Sequence, residues 1–344
     1  MEKVIKKLKF SVLILTAIMM AILTGCASKT TKADEKKGKK ENVTVNIGIQ
    51  QSLGPFLIAK EKGWFEEEFA KVGVNVKWTV FQSGPPHFEA MAANRLDFGG
   101  VGNSPVIAGQ AANIEFKEIA NASDGLKGNA ILVRKDSPIK TLEDLKGKKI
   151  AVAKGSSGFN LLYRALDKAG LKPEDVKIIQ LQPDEAQPAF ETGAVDAWSI
   201  WEPFISLQTL KKDARILADG KSLNVYSPGF VIARTQFTKE HPDLVVRFLK
   251  VYEKARLFEK ENRNDAIDLY ANAKKIDKDI VRHILENNES LNLPITEDII
   301  KAQQDTADFQ YSLKAITKKI DTSKVVDNSY IKQALKEVKE EQNK

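Results

Sequence analysis

The 344-residue chain is longer than one hydrophobic core usually supports, is 42% hydrophobic and 29% charged, and carries a net charge of +7 with one cysteine. Residues 1–25 contribute four lysines against Glu2 and residues 26–41 six lysines against Asp34, Glu35 and Glu41, so each supplies +3 and everything from residue 42 onward is left with +1. A nearly neutral body gives little support for the concentrated basic face that nucleic-acid binding needs, and a lone cysteine excludes an intramolecular disulfide.

The first segment has the order of a processing signal. Lys3, Lys6, Lys7 and Lys9 precede an apolar run over residues 10–23, shorter than the roughly 20 apolar residues of a membrane-spanning helix, which predicts a signal peptide over residues 1–25. Leu23-Thr24-Gly25-Cys26 resembles the bacterial lipobox, in which the thiol, here that of Cys26, carries a diacylglyceryl group. Residues 26–41 hold nothing to bury and read as a disordered tether whose lysines favour an anionic membrane surface. No second long apolar run follows, so the mature chain is expected to be soluble apart from its lipid.

From there strands and helices alternate. Residues 43–49 read as a strand and 55–62 as a helix stopped by Gly63, which places Gln50-Gln51-Ser52 at the carboxyl end of the strand, where open α/β sheets hold ligands. A strand over 74–81 ends in Gln82-Ser83-Gly84-Pro85-Pro86 and a helix follows over 87–94. The stretch from Leu96 through Asp97, Asn103 and Ser104 to Pro105 reads as strand, loop and new helix. The stretch from Phe190 through Asp196, Trp198 and Trp201 to Glu202-Pro203 echoes it about one hundred residues later, which suggests two lobes of like construction. Between them lie a crossing strand at 130–133, a single-turn helix within 137–147, a strand at 149–153, a helix over 159–169 and a strand at 177–181. The chain returns to the first lobe through 228–233 and is helical beyond 238. This alternation predicts a largely parallel α/β sheet.

Catalysis has no visible apparatus. His87, His241 and His283 are scattered and read as surface residues, no metal motif is present, and no G-x-S-x-G, P-loop or H-E-x-x-H occurs. Gly155-Ser156-Ser157-Gly158, between a strand and a helix, reads instead as an anion site, because first-turn N–H groups and the helix dipole favour negative charge; N-capping by Ser156 or Ser157 is the plainer reading. Gly102-Asn103-Ser104-Pro105 repeats the arrangement in the first lobe. Alternation along the strand holding Trp198 and Trp201 is expected to put both indoles on one side, as an apolar wall.

Together with residues 133–147, the segments Phe81-Gln82-Ser83-Gly84-Pro85, Asp97 through Pro105, Lys154-Gly155-Ser156 and Gly193 through Trp201-Glu202-Pro203-Phe204 give a chain that resembles the aliphatic sulfonate, taurine and nitrate group of ABC-transporter substrate-binding proteins. It stands closest to the alkanesulfonate branch. The resemblance implies a type II periplasmic-binding-protein fold, α/β and two-lobed, with a hinge and an interlobe cleft. Lobe 1 would comprise residues 42–129 and 230–344 and lobe 2 residues 130–229. The implied ligand residues are Gln50, Ser83, Gly84, Asn103, Ser104, Gly155, Ser156, Ser157, Trp198, Trp201 and Glu202. They would bind a small organic anion, a sulfonate, on neutral donors, with no cofactor and no metal. The implied partners are ABC permease and ATPase subunits and, through Cys26, the extracytoplasmic face of the cell membrane, with no nucleic acid and a monomeric chain. Taurine, nitrate or a thiamine-precursor-like pyrimidine is the alternative ligand, and an enzyme on a two-lobed fold the alternative class.

Overall fold

The computed structural model describes residues 43–343; the predicted signal peptide, Cys26 and the tether lie outside them. The chain runs β1 (Thr44–Ile49), α1 (Pro55–Glu61), α2 (Trp64–Ala70), β2 (Asn75–Val80), α3 (Pro85–Ala92), β3 (Phe98–Gly102), α4 (Asn103–Ala111) and β4 (Phe116–Ser123). It continues through β5 (Asn129–Arg134), β6 (Lys149–Val152), α5 (Ser157–Lys168), β7 (Lys177–Gln180), α6 (Pro183–Glu191), β8 (Ala197–Trp201), α7 (Phe204–Lys211), β9 (Ala214–Asp219) and α8 (Gly220–Leu223). After β10 (Gly229–Arg234) it is helical: α9 (Thr235–Glu240), α10 (Pro242–Glu261), α11 (Arg263–Lys274), α12 (Lys278–Asn287), α13 (Glu297–Ser312) and α14 (Ser329–Gln342). Among the described residues no helix is long and apolar enough to cross a membrane.

The strands form two five-stranded sheets with orders β2-β1-β3-β10-β4 and β7-β6-β8-β5-β9. These are one topology used twice: in each, a strand pairs parallel with two neighbours, and the third strand pairs antiparallel with one that arrives from elsewhere in the chain. The sheets are therefore mixed rather than largely parallel, because β10 and β5 are not reached by a helical crossover from the strand beside them.

The sequence echo has a physical cause. At the foot of the first sheet, Asn46 N–H donates to Asp97 Oδ2 at 2.9 Å and Asp97 N–H returns a bond to Asn46 O at 2.9 Å. In the second, Lys149 N–H donates to Asp196 Oδ2 at 2.8 Å and Asp196 N–H to Lys149 O at 2.8 Å. Each aspartate closes the end of a parallel pair whose first amide has no strand partner. An arginine at the end of the antiparallel neighbour braces each corner: Arg234 Nη2 reaches Asp97 Oδ1 at 2.7 Å, and Arg134 Nη1 donates to Val195 O at 2.8 Å.

Both faces of each sheet are covered, so the central strands read as continuous apolar runs. On β10, Val231 and Ala233 pack with Phe98 under α1 and α10, whereas Phe230 and Ile232 pack with Phe88 of α3 and Val106 of α4. Phe98 stacks on Phe248 with centroids 3.9 Å apart. In the second sheet Ile131 and Val133 face α5, and Ala130 and Leu132 pack with Phe190 of α6 and Phe204 of α7. His87 belongs to the interior and not to the surface: it is fully buried between Phe81 and the glycines of β1 and β3. A Cβ on Gly99 would stand 2.7 Å, and one on Gly48 2.9 Å, from His87 Cδ2. Burial lowers its pKa to about 4, so the ring is neutral at physiological pH.

Glu118 of β4 is also fully buried, with Gln303 of α13 donating to its Oε1. Burial pushes its pKa up to about 8, so the folded chain holds a proton there that the unfolded chain releases above the ordinary glutamate range. Its contribution to stability is full below about pH 4.5 and is lost as pH rises towards 8. Glu118→Gln is expected to flatten this decline, and urea unfolding at pH 5 and pH 8 should show the variant gaining on the parent chain at the higher pH; an equal difference at both pH values would count against a neutral Glu118.

Candidate functional site

Parallel pairing sends the carboxyl ends of β1, β2 and β3 to one edge, and β6 and β8 do the same in the second sheet. Between these edges lies a cavity of about 250 Å³ lined from both sheets and from the C-terminal helices, on the scale of a small molecule. Gln50, Gly84, Gly102 and Pro105 border it on one side, Asn129, Ser156, Ser157, Trp201 and Glu202 on the other.

Helix N-termini dominate the wall, and they differ in what they offer. In α5, Ser156 is the N-cap: its Oγ accepts from Phe159 N–H at 3.2 Å and donates to Ala153 O at 2.7 Å. Asn160 N–H reaches Ser156 O at 3.2 Å, so the donors left over in the first turn are the amides of Ser157 and Gly158. In α4 the corresponding amides belong to Asn103 and Ser104, since Pro105 has none. In α3 both first positions are proline, which removes the donors and leaves only the dipole. The two helix starts border the cavity through Gly102 and Pro105 of α4 and Ser156 and Ser157 of α5, whereas Asn103, Ser104 and Gly155 are not among its lining residues; a positive dipole end at each start favours a negative group.

Gln50 is held in place by its Nε2 donating to Gly100 O at 2.9 Å. Gly84 borders the cavity, but Ser83 behind it is buried, its carbonyl 3.2 Å from His87 Nδ1. Asn103 is fully buried and neither end of its amide meets a protein partner. The Ser104 hydroxyl is engaged by Gln310 Nε2 at 2.8 Å. Gly155 stands at the turn into α5 with φ +72°, where a Cβ would lie 3.4 Å from Pro85 Cγ. A Cβ on Gly102 would stand 2.1 Å from Ser157 Oγ, so the edges of the two sheets touch beside the cavity.

The two tryptophans do not form one wall. Trp201 borders the cavity, whereas Trp198 is 1% exposed and packs between Phe190 and Phe204, with centroids 6.0 and 5.5 Å away. Alternation has period two, so positions three apart on a strand point to opposite faces. Glu202, next along, also borders the cavity; its Oε1 accepts from Ser206 Oγ at 2.8 Å and its Oε2 from Ser206 N–H at 3.1 Å. Burial raises its pKa above the usual carboxylate range against those bonds.

Several wall residues carried no sequence signal. Tyr252 of α10 and Asn288, Glu289 and Ser290 beyond α12 border the cavity from a region read as charged helices with solvated faces. Asn129 Oδ1 and Ser227 Oγ, buried at the two chain crossings between the sheets, have no protein partner. Ser52, beside Gln50, and Gly102 and Pro105, on either side of Asn103 and Ser104, border the cavity from stretches the sequence had already singled out. Among the described residues, no group of three or more His, Cys, Asp or Glu is placed to hold a metal ion.

The family model described as NMT1/THI5 like matches residues 50–266. The chain is 58% identical over 330 residues, 96% of its length and 98% of the relative's, to a putative aliphatic sulfonates-binding protein of Bacillus subtilis (strain 168). It is 32% identical, over 88% of its length and 94% of the relative's, to a putative aliphatic sulfonates-binding protein of Escherichia coli (strain K12). Among solved structures it is similar to the alkanesulfonate-binding protein SsuA from Xanthomonas axonopodis pv. citri bound to MOPS, with a TM-score of 0.77 and 31% identity, covering 83% of this chain and 99% of that one.

The meeting of α3 and α4 can be tested directly. Gly84→Ala would set a Cβ 2.4 Å from Pro105 Cγ, and a proline ring cannot turn aside. The two helix starts must part, and urea unfolding is expected to show a loss of about 1–3 kcal/mol; an unchanged midpoint would mean that this corner of the cavity yields.

Proposed function

The chain belongs to the NMT1/THI5-like family, and we propose that it is the extracytoplasmic solute-binding component of an ABC importer, which takes an aliphatic sulfonate into the cavity between its sheets and delivers it to permease and ATPase subunits. The observation that carries this reading is that helix starts from the two sheets, α4 at Gly102 and Pro105 and α5 at Ser156 and Ser157, border the same cavity. A sulfonate stays ionised throughout the physiological range, so fixed neutral donors suffice and no titrating counter-charge is needed. Trp201 and Phe56, also at the cavity wall, provide apolar surface for the alkyl part.

In this reading residues 42–129 and 230–344 form one lobe and 130–229 the other, with the connecting segments that pass at Gly125 and Ser227 as the hinge. A Cβ on Gly125 would stand 1.6 Å from Ser227 O, so the two crossings lie against each other, which supports placing the bend there. The anion bridges donors from both lobes and shifts the population towards a closed form. Cys26 would hold the monomeric receptor beside its transporter through a lipid. The protein would return its ligand unchanged rather than act on it, so mass spectrometry of ligand recovered after prolonged incubation should find the starting sulfonate alone.

Calorimetric titration with ethanesulfonate, MOPS, taurine, nitrate and a thiamine-precursor pyrimidine is expected to show binding of one or more of the sulfonates; binding of the pyrimidine or nitrate alone would sink the sulfonate reading. Taurine is included because Glu202 and Glu289 border the cavity and suit an ammonium group.

Glu202 gives the binding a pH dependence of predictable sign. Its pKa is already raised by burial, and a neighbouring sulfonate raises it further, so binding a purely anionic ligand takes up a proton. Affinity for ethanesulfonate should fall as pH rises through the Glu202 titration, and Glu202→Gln should remove the fall. Calorimetry across pH 5–8 checks this, and a flat profile in the parent chain would argue that Glu202 lies too far from the bound group.

A further inference from the structure

Away from the cavity, the same face of α5 that brings Ser157 against Gly102 carries Asn160 and Arg164, at spacings of three and seven residues that share one side of a helix. Arg164 lies about 10 Å along the axis from Ser157 and reaches α13. Its Cζ lies 3.7 Å from the centroid of the Phe309 ring, and its Nη2 donates to Asp305 O at 3.0 Å.

The two helices belong to different sheets. Leu161, Leu162 and Leu166 fix α5 to the core of the second sheet, and Ser199 Oγ binds Gly158 O at 2.7 Å. The first sheet holds α13 through Gln303 to Glu118 and Gln310 to Ser104. Between Ser157 and Arg164, Asn160 is fully buried and neither end of its amide has a protein partner. The middle of the seam therefore carries an uncompensated desolvation cost, and the attraction that brings the sheets together there sits at its outer end.

We propose that Arg164 is an affinity-determining latch: by clasping Phe309 and Asp305 it raises the population of the closed arrangement, and so slows ligand release, without touching the cavity. The inference rests on the binding function proposed above. It makes ligand residence depend on a contact that no ligand atom reaches, and it predicts that the two sides of the clasp act as one unit.

The test is stopped-flow release of ethanesulfonate and of MOPS from the full chain, followed by tryptophan fluorescence. Arg164→Ala and Phe309→Leu are each expected to speed dissociation by roughly two- to thirty-fold, the size of a partly desolvated cation–π contact. The double variant should release little faster than either single one, and Arg164→Lys, which keeps a cation over the ring but loses the guanidinium hydrogen bond to Asp305 O, should fall between. Circular dichroism confirms folding, and Phe309→Leu carries the test if Arg164→Ala does not fold. Release rates within twofold of the parent chain overturn the latch. If neither sulfonate binds the parent chain, the sulfonate reading fails by itself and small-angle scattering of the unliganded chains decides: a larger radius for Arg164→Ala supports the latch, and an equal radius overturns it.

Discussion

The site depends on the parallel register of β1 with its two neighbours, repeated in β6 with its own. Parallel strands end at the same edge, so every loop that leaves them and every helix that begins there is delivered to one place. Asp97 and Asp196 fix that register by occupying the amide that a parallel pair leaves open at its foot. Asp97 is bonded in turn to Arg234 with little exposure on either side chain, and removing one member of such a pair leaves the other buried and uncompensated. The far end of the strands, where the cavity lies, is thus secured from the opposite end.

Duplication of this unit turns one helix start into two that face each other. A single donor-rich N-terminus is an ordinary capping arrangement, and Ser156 spends its hydroxyl in that way. The pair differs because starts from two sheets border one cavity, and in the proposed binding role a bound charge would bridge the sheets and couple binding to the distance between them. The chain crosses twice at one spot, with Gly125 against Ser227. The clasp of Arg164 on α13 lies outside the cavity, and as the proposed latch it would bias closure without touching the ligand.

Electrostatics within the cavity are balanced rather than uniformly positive. Neutral donors and helix dipoles favour an anion, while Glu202 stands in the same wall with its pKa raised by burial. A protonated carboxyl donates where an ionised one repels, so an acidic side chain is compatible with an anion site only while it is neutral. The formal charge of the chain plays no part in this, since it is concentrated in the first 41 residues and leaves the body near neutrality.

Local features were legible in the sequence by itself: the strand and helix alternation, the glycine and serine turn before α5, the two Asp-bearing echoes, and Gln50, Gly84, Ser156, Ser157, Trp201 and Glu202, all of which border the cavity. These follow from propensity, capping and period, which act over a few residues. Period also decides the tryptophans once it is counted, since three residues along a strand place Trp198 in the core and Trp201 in the cavity. Tertiary structure alone decided the burial of His87 beneath Gly48 and Gly99, the loss of the Ser104 hydroxyl to Gln310, and the arrival of Tyr252 and Asn288 at the cavity wall. In each case the partner lies far along the chain, and what the side chain meets is set by how helices pack on sheets. No local preference encodes that packing.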